Sequence, residues 1–143
     1  MVQRHCLVFL AAIALACSLP LLSQQTKIRK APAPYTSPAS GKEMYTAYCA
    51  SCHGRDAKGD GPAAGALKVP PADLTALAKK NNGNFPSNHI AAVLSGQEDV
   101  MAHGSKDMPV WGPVFFRISQ GHPTEVQQRI SNLTRYLESL QGK

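Results

Sequence analysis

Apolar residues recur at spacings of four, three, four and three through Val126, Ile130, Leu133, Leu137 and Leu140. That is the stripe of a helix burying one face. Thr124-Glu125-Val126-Gln127, preceded by Pro123, reads as its capping sequence, so a helix is predicted over Glu125 to Gln141 with Gly142 as its stop. A second start signal is Ser40-Gly41-Lys42-Glu43, a capping box with Ser40 as N-cap. It predicts a helix from about Gly41 whose packed face includes Tyr45 and Tyr48. Shorter helices are expected near Ala72 to Lys80 and Ser87 to Leu94, the latter stopped by Gly96. Alternating β-branched runs are few, so the predicted class is all-α.

The pattern changes towards the N-terminus. Arg4 and His5 precede an apolar run from Cys6 to Ala16, which ends in the small-x-small signature Ala14-Leu15-Ala16. This reads as a secretory signal over residues 1–16, because the run is short for a bilayer span and its extension to Leu22 meets Pro20. Cys17 follows directly. Ala-Leu-Ala-Cys is similar to a bacterial lipobox, with Ala14 where that pattern usually has Leu; lipidation of Cys17, an uncleaved anchor and an ordinary cleavage site stay open. Residues 17–39 carry Pro20, Pro32, Pro34 and Pro38 among Ser, Gln and Thr, and read as an extended linker. Residues 40–143 are then one domain of normal size.

The most specific chemistry sits in Cys49-Ala50-Ser51-Cys52-His53. C-x-x-C-H is the attachment pattern of a c-type haem. Each thiol can add to one vinyl group, and the histidine is placed as proximal iron ligand. A zinc site would need a fourth ligand that this run does not supply, and a redox dithiol would call for a βαβ surround that is not visible. No second C-x-x-C-H occurs, so one haem c is expected. Export fits this, since c-type haem is attached outside the cytoplasm in bacteria.

Charge narrows the partners. The chain carries 15 Lys+Arg and 9 Asp+Glu, a net charge of +6. Arg4 leaves with the signal, and Lys27, Arg29 and Lys30 lie in the linker, so the region from Ser40 onward carries only +2. The folded part has no basic stripe, which excludes a nucleic-acid reading.

From Ser40 to Lys143 the chain resembles the class I monohaem cytochromes c. Gly41 and Tyr45 stand eight and four residues before Cys49, where that family places a glycine and an aromatic on its first helix. Leu133 and Tyr136 resemble the partner positions on the last helix. The resemblance implies a cytochrome c fold in which the terminal helices cross closely at Gly41. The run His53-Gly54 to Gly59-Asp60-Gly61-Pro62, with Pro70-Pro71-Ala72-Asp73-Leu74, is similar to bacterial respiratory members of the class. Asp60 reads as a turn residue rather than an acid or base. In the family the His53 ring donates to a proline carbonyl, here that of Pro70 or Pro71.

The iron's other side needs a second ligand. Met44 lies on the first helix and suits core filling. Met108, followed by Pro109, Val110, Trp111, Gly112 and Pro113, sits in a punctuated and constrained loop, and resembles the family's distal Met-Pro. Met101, His89, His103, His122 and an open site are the alternatives. Val69, Leu74, Phe85, Ile90, Leu94 and Phe115 are pocket candidates, with Trp111 packing nearby.

The resemblance implies an electron carrier rather than an enzyme, periplasmic, with His53 and Met108 on the iron. Its partners would be a reductase and a terminal oxidase or dehydrogenase. A membrane surface could be reached through Cys17 or an uncleaved anchor. The rival expectations are a tethered haem subunit of a larger respiratory or dehydrogenase complex, a haem enzyme or sensor with an open iron site, and a zinc module.

Overall fold

The computed structural model describes residues 32–98 and 108–142. The expectations for the signal, Cys17, Met101 and His103 lie outside the described residues. Among the described residues six α-helices follow in order: α1 (Gly41–Tyr48), α2 (Ala50–His53), α3 (Leu77–Lys80), α4 (Ser87–Ser95), α5 (Trp111–Ile118) and α6 (Pro123–Glu138). Two 3-10 turns, Ala64–Ala66 and Leu74–Ala76, complete them, and no strand is formed among the described residues.

Helix α1 buries Gly41, Met44, Tyr45 and Tyr48, an i, i+3, i+4, i+7 face. It lies on α6, which buries Val126, Ile130, Leu133 and Leu137. The crossing is tight at Gly41. A Cβ there would run into the Asn132 carbonyl oxygen and stand 2.6 Å from the Tyr136 Cβ. Glycine's missing side chain is what admits the contact. One turn on, the Tyr45 and Tyr136 rings meet with centroids 5.5 Å apart. Met44 is fully buried in the same core.

The caps depart from expectation in two places. Ser40 does accept from the Glu43 N–H, at 3.1 Å. The Glu43 carboxylate, however, takes the Ser37 N–H, because the Ser40 N–H is already turned onto the Ser37 carbonyl. Helix α6 begins at Pro123, with His122 as N-cap and no side-chain cap, rather than on Thr124. Proline has no N–H to satisfy in the first turn and its φ is already helical.

Helix α5 replaces part of the predicted loop. Gly112 and Pro113 fall in its first turn, where a proline removes no helical hydrogen bond. The punctuated segment is therefore shorter, Met108 to Val110. The expected helix over Ala72 to Lys80 starts only at Leu74, as a 3-10 turn capped by Asp73, and continues as α3.

The described end of the expected linker, residues 34–38, bonds to the helices. Thr36 is buried. Its hydroxyl accepts from Arg129 Nη1 at 3.1 Å and lies 2.7 Å from the Tyr48 hydroxyl. Tyr48 gives its one proton to the Pro34 carbonyl at 2.7 Å, so Thr36 donates to Tyr48. Asn132 Nδ2 holds the Pro38 carbonyl at 2.8 Å. Arg129 is fully buried, yet satisfied: Nη2 and Nε reach Glu125 Oε1 at 2.8 and 3.2 Å, Nε reaches Ser119 Oγ at 3.0 Å, and its guanidinium lies 5.2 Å from the Tyr35 ring centroid. Such pairing is what lets a charge stay inside. The C-terminus is tied down too, since the Gln141 amide bonds the Leu74 carbonyl and the Ala78 N–H.

Candidate functional site

An apolar cavity opens between the α1–α2 junction, the segment 67–77, α4 and the segment 108–111, with Leu137 of α6 on its wall. Cys49, Cys52, His53 and Met108 all line it. The tight end of α1 and the short α2 place the first three. Cys49 is the hinge between the two helices, buried against the core, while Cys52 is half-buried on the next turn. Burial, with Cys52 adding to it, pushes the Cys49 thiol up to about 12. That is the opposite of the depressed pKa of a redox dithiol. No group of three or more His, Cys, Asp or Glu converges among the described residues as a zinc site requires.

The His53 ring is oriented by the backbone. Its Nδ1 lies 3.0 Å from the Ala72 carbonyl oxygen, so Nδ1–H donates and Nε2 is the ring nitrogen that could ligate a metal. The acceptor is thus neither Pro70 nor Pro71. The Pro71 carbonyl is turned onto Gly59 instead, and the next carbonyl meets the ring. The two prolines break the chain so that Ala72 is presented, and both prolines line the cavity.

Of the pocket candidates, Val69, Leu74, Ile90, Leu94 and Trp111 line the cavity. Phe85 and Phe115 do not. Phe85 packs against the core, and Phe115 stands behind the wall, its ring centroid 5.8 Å from Trp111 and 5.9 Å from Tyr48. Sequence reasoning missed Leu67, Leu77, Val93 and Leu137 as lining residues, and the ring of Tyr48. For Leu137 the signal existed: it lies on the apolar stripe of α6, one turn beyond Leu133. His89 pairs with Glu98 on the surface and His122 is exposed at the start of α6.

These residues fit a haem. The cavity walls are apolar, two thiols and a histidine with a fixed tautomer lie along one edge, and a thioether comes from the 108–111 segment. Tyr45, whose hydroxyl donates to the Gly54 carbonyl at 2.6 Å, is pushed above its ordinary pKa, by burial first and by Cys49 next, and stays a neutral donor.

No curated protein and no solved structure matches the chain. The family described as cytochrome C oxidase, cbb3-type, subunit III matches residues 36–120, more than half of the chain. The match begins at the buried Thr36 and runs through the C-x-x-C-H helix, the cavity and α5. Haem-binding pattern, helical fold and family match agree, and the chain belongs to this family of c-type cytochromes, electron carriers of the cytochrome c fold built on covalently bound haem c.

Proposed function

We propose that the chain carries one electron at a time on a single haem c, bonded through Cys49 and Cys52 and held on the iron by His53 and Met108, as in class I monohaem cytochromes. The observation that supports this most is the meeting of all four side chains at one apolar cavity. The haem supplies a reversible ferric–ferrous couple. His53, with Nδ1 engaged by Ala72, offers Nε2 from a ring that does not turn. Met108 offers a thioether, which favours the ferrous state. The walls of Leu74, Ile90, Leu94 and Trp111 exclude water and keep geometry constant through each transfer.

The protein works outside the cytoplasm, in the periplasm: either residues 1–16 are removed and a lipidated Cys17 can hold it to the membrane surface, or they stay as an uncleaved anchor. Among the described residues no helix is long and apolar enough to cross a membrane. Its partners are a respiratory reductase and a terminal oxidase. The family's description, naming an oxidase subunit, favours a second reading in which the chain is a tethered haem subunit of a larger complex.

Three measurements test this. Haem that stays with the polypeptide through acid–acetone extraction, at one per chain by mass spectrometry, is expected; extractable haem would sink covalent attachment. Reduced protein is expected to resist carbon monoxide, and rapid binding would replace Met108 with an open iron side. Stoichiometric co-purification with oxidase subunits from membranes would select the subunit reading over the free carrier.

A further inference from the structure

We propose that the loop over residues 54–63 is a positioning device for His53, through which Gly59 and Tyr45 set the electron affinity of the iron without touching the haem. The inference rests on the His53 ligation proposed above.

The loop grips His53 from its backbone side. The N–H groups of Gly59, Gly61 and Ala63 donate to the carbonyls of His53, Cys52 and Ser51 at 2.8, 3.1 and 2.9 Å. The Gly54 N–H takes the Ala50 carbonyl at 3.0 Å, and the Gly54 carbonyl accepts from the Tyr45 hydroxyl at 2.6 Å. Every carbonyl from Ser51 to Gly54 thus has a donor from this loop or from Tyr45. A four-residue helix has almost no bonds of its own, so these fix its end.

The same loop grips the acceptor of the His53 ring. The Ala57 carbonyl accepts from the Leu74 N–H at 2.8 Å. Gly59, at φ +85°, lies against the Pro71 carbonyl; a Cβ there would run into that oxygen and stand 3.2 Å from the Pro71 carbonyl carbon. Pro71 and Leu74 bracket Ala72, whose carbonyl meets Nδ1. Ring and acceptor are therefore held by one short segment. Ala57 shows how firmly: it is a buried non-glycine residue at φ +61°, a conformation that is unfavourable for a side chain and persists only where its surroundings over-determine it.

Donation from Nδ1–H makes the imidazole a stronger ligand and favours the ferric state. Pushing Pro71 away from Gly59 draws the Ala72 carbonyl off the ring, weakens that donation and moves the reduction potential to a more positive value.

The test uses the full chain with haem attached. Gly59→Ala is expected to shift the ferric–ferrous equilibrium roughly tenfold towards ferrous, about 59 mV for one electron. Tyr45→Phe, which keeps the ring and loses the Gly54 bond, shifts it the same way by less. In both, the His53 Nδ1 proton exchanges with solvent faster by nuclear magnetic resonance. Ile130→Val, in the core of α6, lowers stability and leaves the potential and that proton unchanged. If Gly59→Ala does not fold, Tyr45→Phe decides by the same readouts. An unmoved potential and proton in a haem-bearing variant overturn the proposal, as does an equal shift in Ile130→Val. A wild-type chain without covalent haem, or a His53→Ala variant whose iron spectrum is unchanged, overturns the ligation reading instead.

Discussion

The two walls of the cavity hold the two proposed iron ligands, His53 and Met108, by different means. On the proximal wall, backbone does the holding: His53 is fixed at its main chain by the 54–63 loop and at its ring by Ala72. On the distal wall, packing does it. Met108 leads through the exposed Pro109 and Val110 to the buried Trp111, whose ring centroid stands 5.3 Å from that of Tyr48. Backbone bonds fix a ligand whatever fills the cavity, whereas a thioether on a short segment is placed by the rings beneath it. Loss of an interaction should therefore surface as a change in ligand strength on the proximal side and as ligand release on the distal side.

The largest expected effect tests the attachment common to both walls. Cys49→Ala with Cys52→Ala should abolish covalent haem, read as loss of the haem band from the polypeptide on denaturing gels, and leave a poorly folded chain. Met108→Ala comes next. It should keep the haem, lower the potential by more than ~59 mV, a decade in the one-electron equilibrium, and admit carbon monoxide. Retained resistance to carbon monoxide would remove Met108 from the distal wall. Arg129→Met is third: it should cost about 3 kcal/mol in denaturant unfolding while the native haem spectrum stays unchanged. A spectral change would show that the packing behind Tyr48 reaches the distal ligand.

The smallest effect is one of pH. Glu125 is held below the usual carboxylate range by Arg129 first and Ser119 next, and Asp73 by the Thr75 hydroxyl and then its N–H. A carboxyl whose folded value is depressed stabilises the fold above its ordinary pKa and loses that contribution as pH falls through the folded value. Amide protection, taken relative to the intrinsic exchange rate at each pH, should therefore fall in acid around Thr36 and Thr75, with little change above the ordinary carboxylate range.

Where local chemistry decides, the sequence was legible. The stripe from Val126 to Leu137, the Gly96 stop and the close approach at Gly41 follow from spacing and from one missing side chain. The cavity residues Val69, Leu74, Ile90 and Leu94 were legible as apolar positions near the motif. Choices made by distant partners were not. Ala72 rather than a proline meets His53, and the Pro71 carbonyl lies instead against Gly59, twelve residues earlier. Arg129 looks like a surface residue, yet it stands three after Val126 and four before Leu133, inside the stripe. That register, with Glu125 one turn back, was the available signal. The segment at Thr36 reads as linker because its proline and polar residues form no periodic face; it packs through side-chain and carbonyl bonds to α1 and α6 instead.

The buried Arg129 has a mechanical consequence. By pinning Thr36, and Pro34 through Tyr48, it moves the point where a tether begins from about residue 39 back to about residue 34. For a chain held to a membrane at Cys17, as proposed, the longest span from lipid to domain falls from roughly 80 Å to roughly 60 Å at full extension. The haem would sweep a smaller volume and meet any membrane-bound partner at a higher effective concentration, so a guanidinium far from the iron would help set how often electrons change hands.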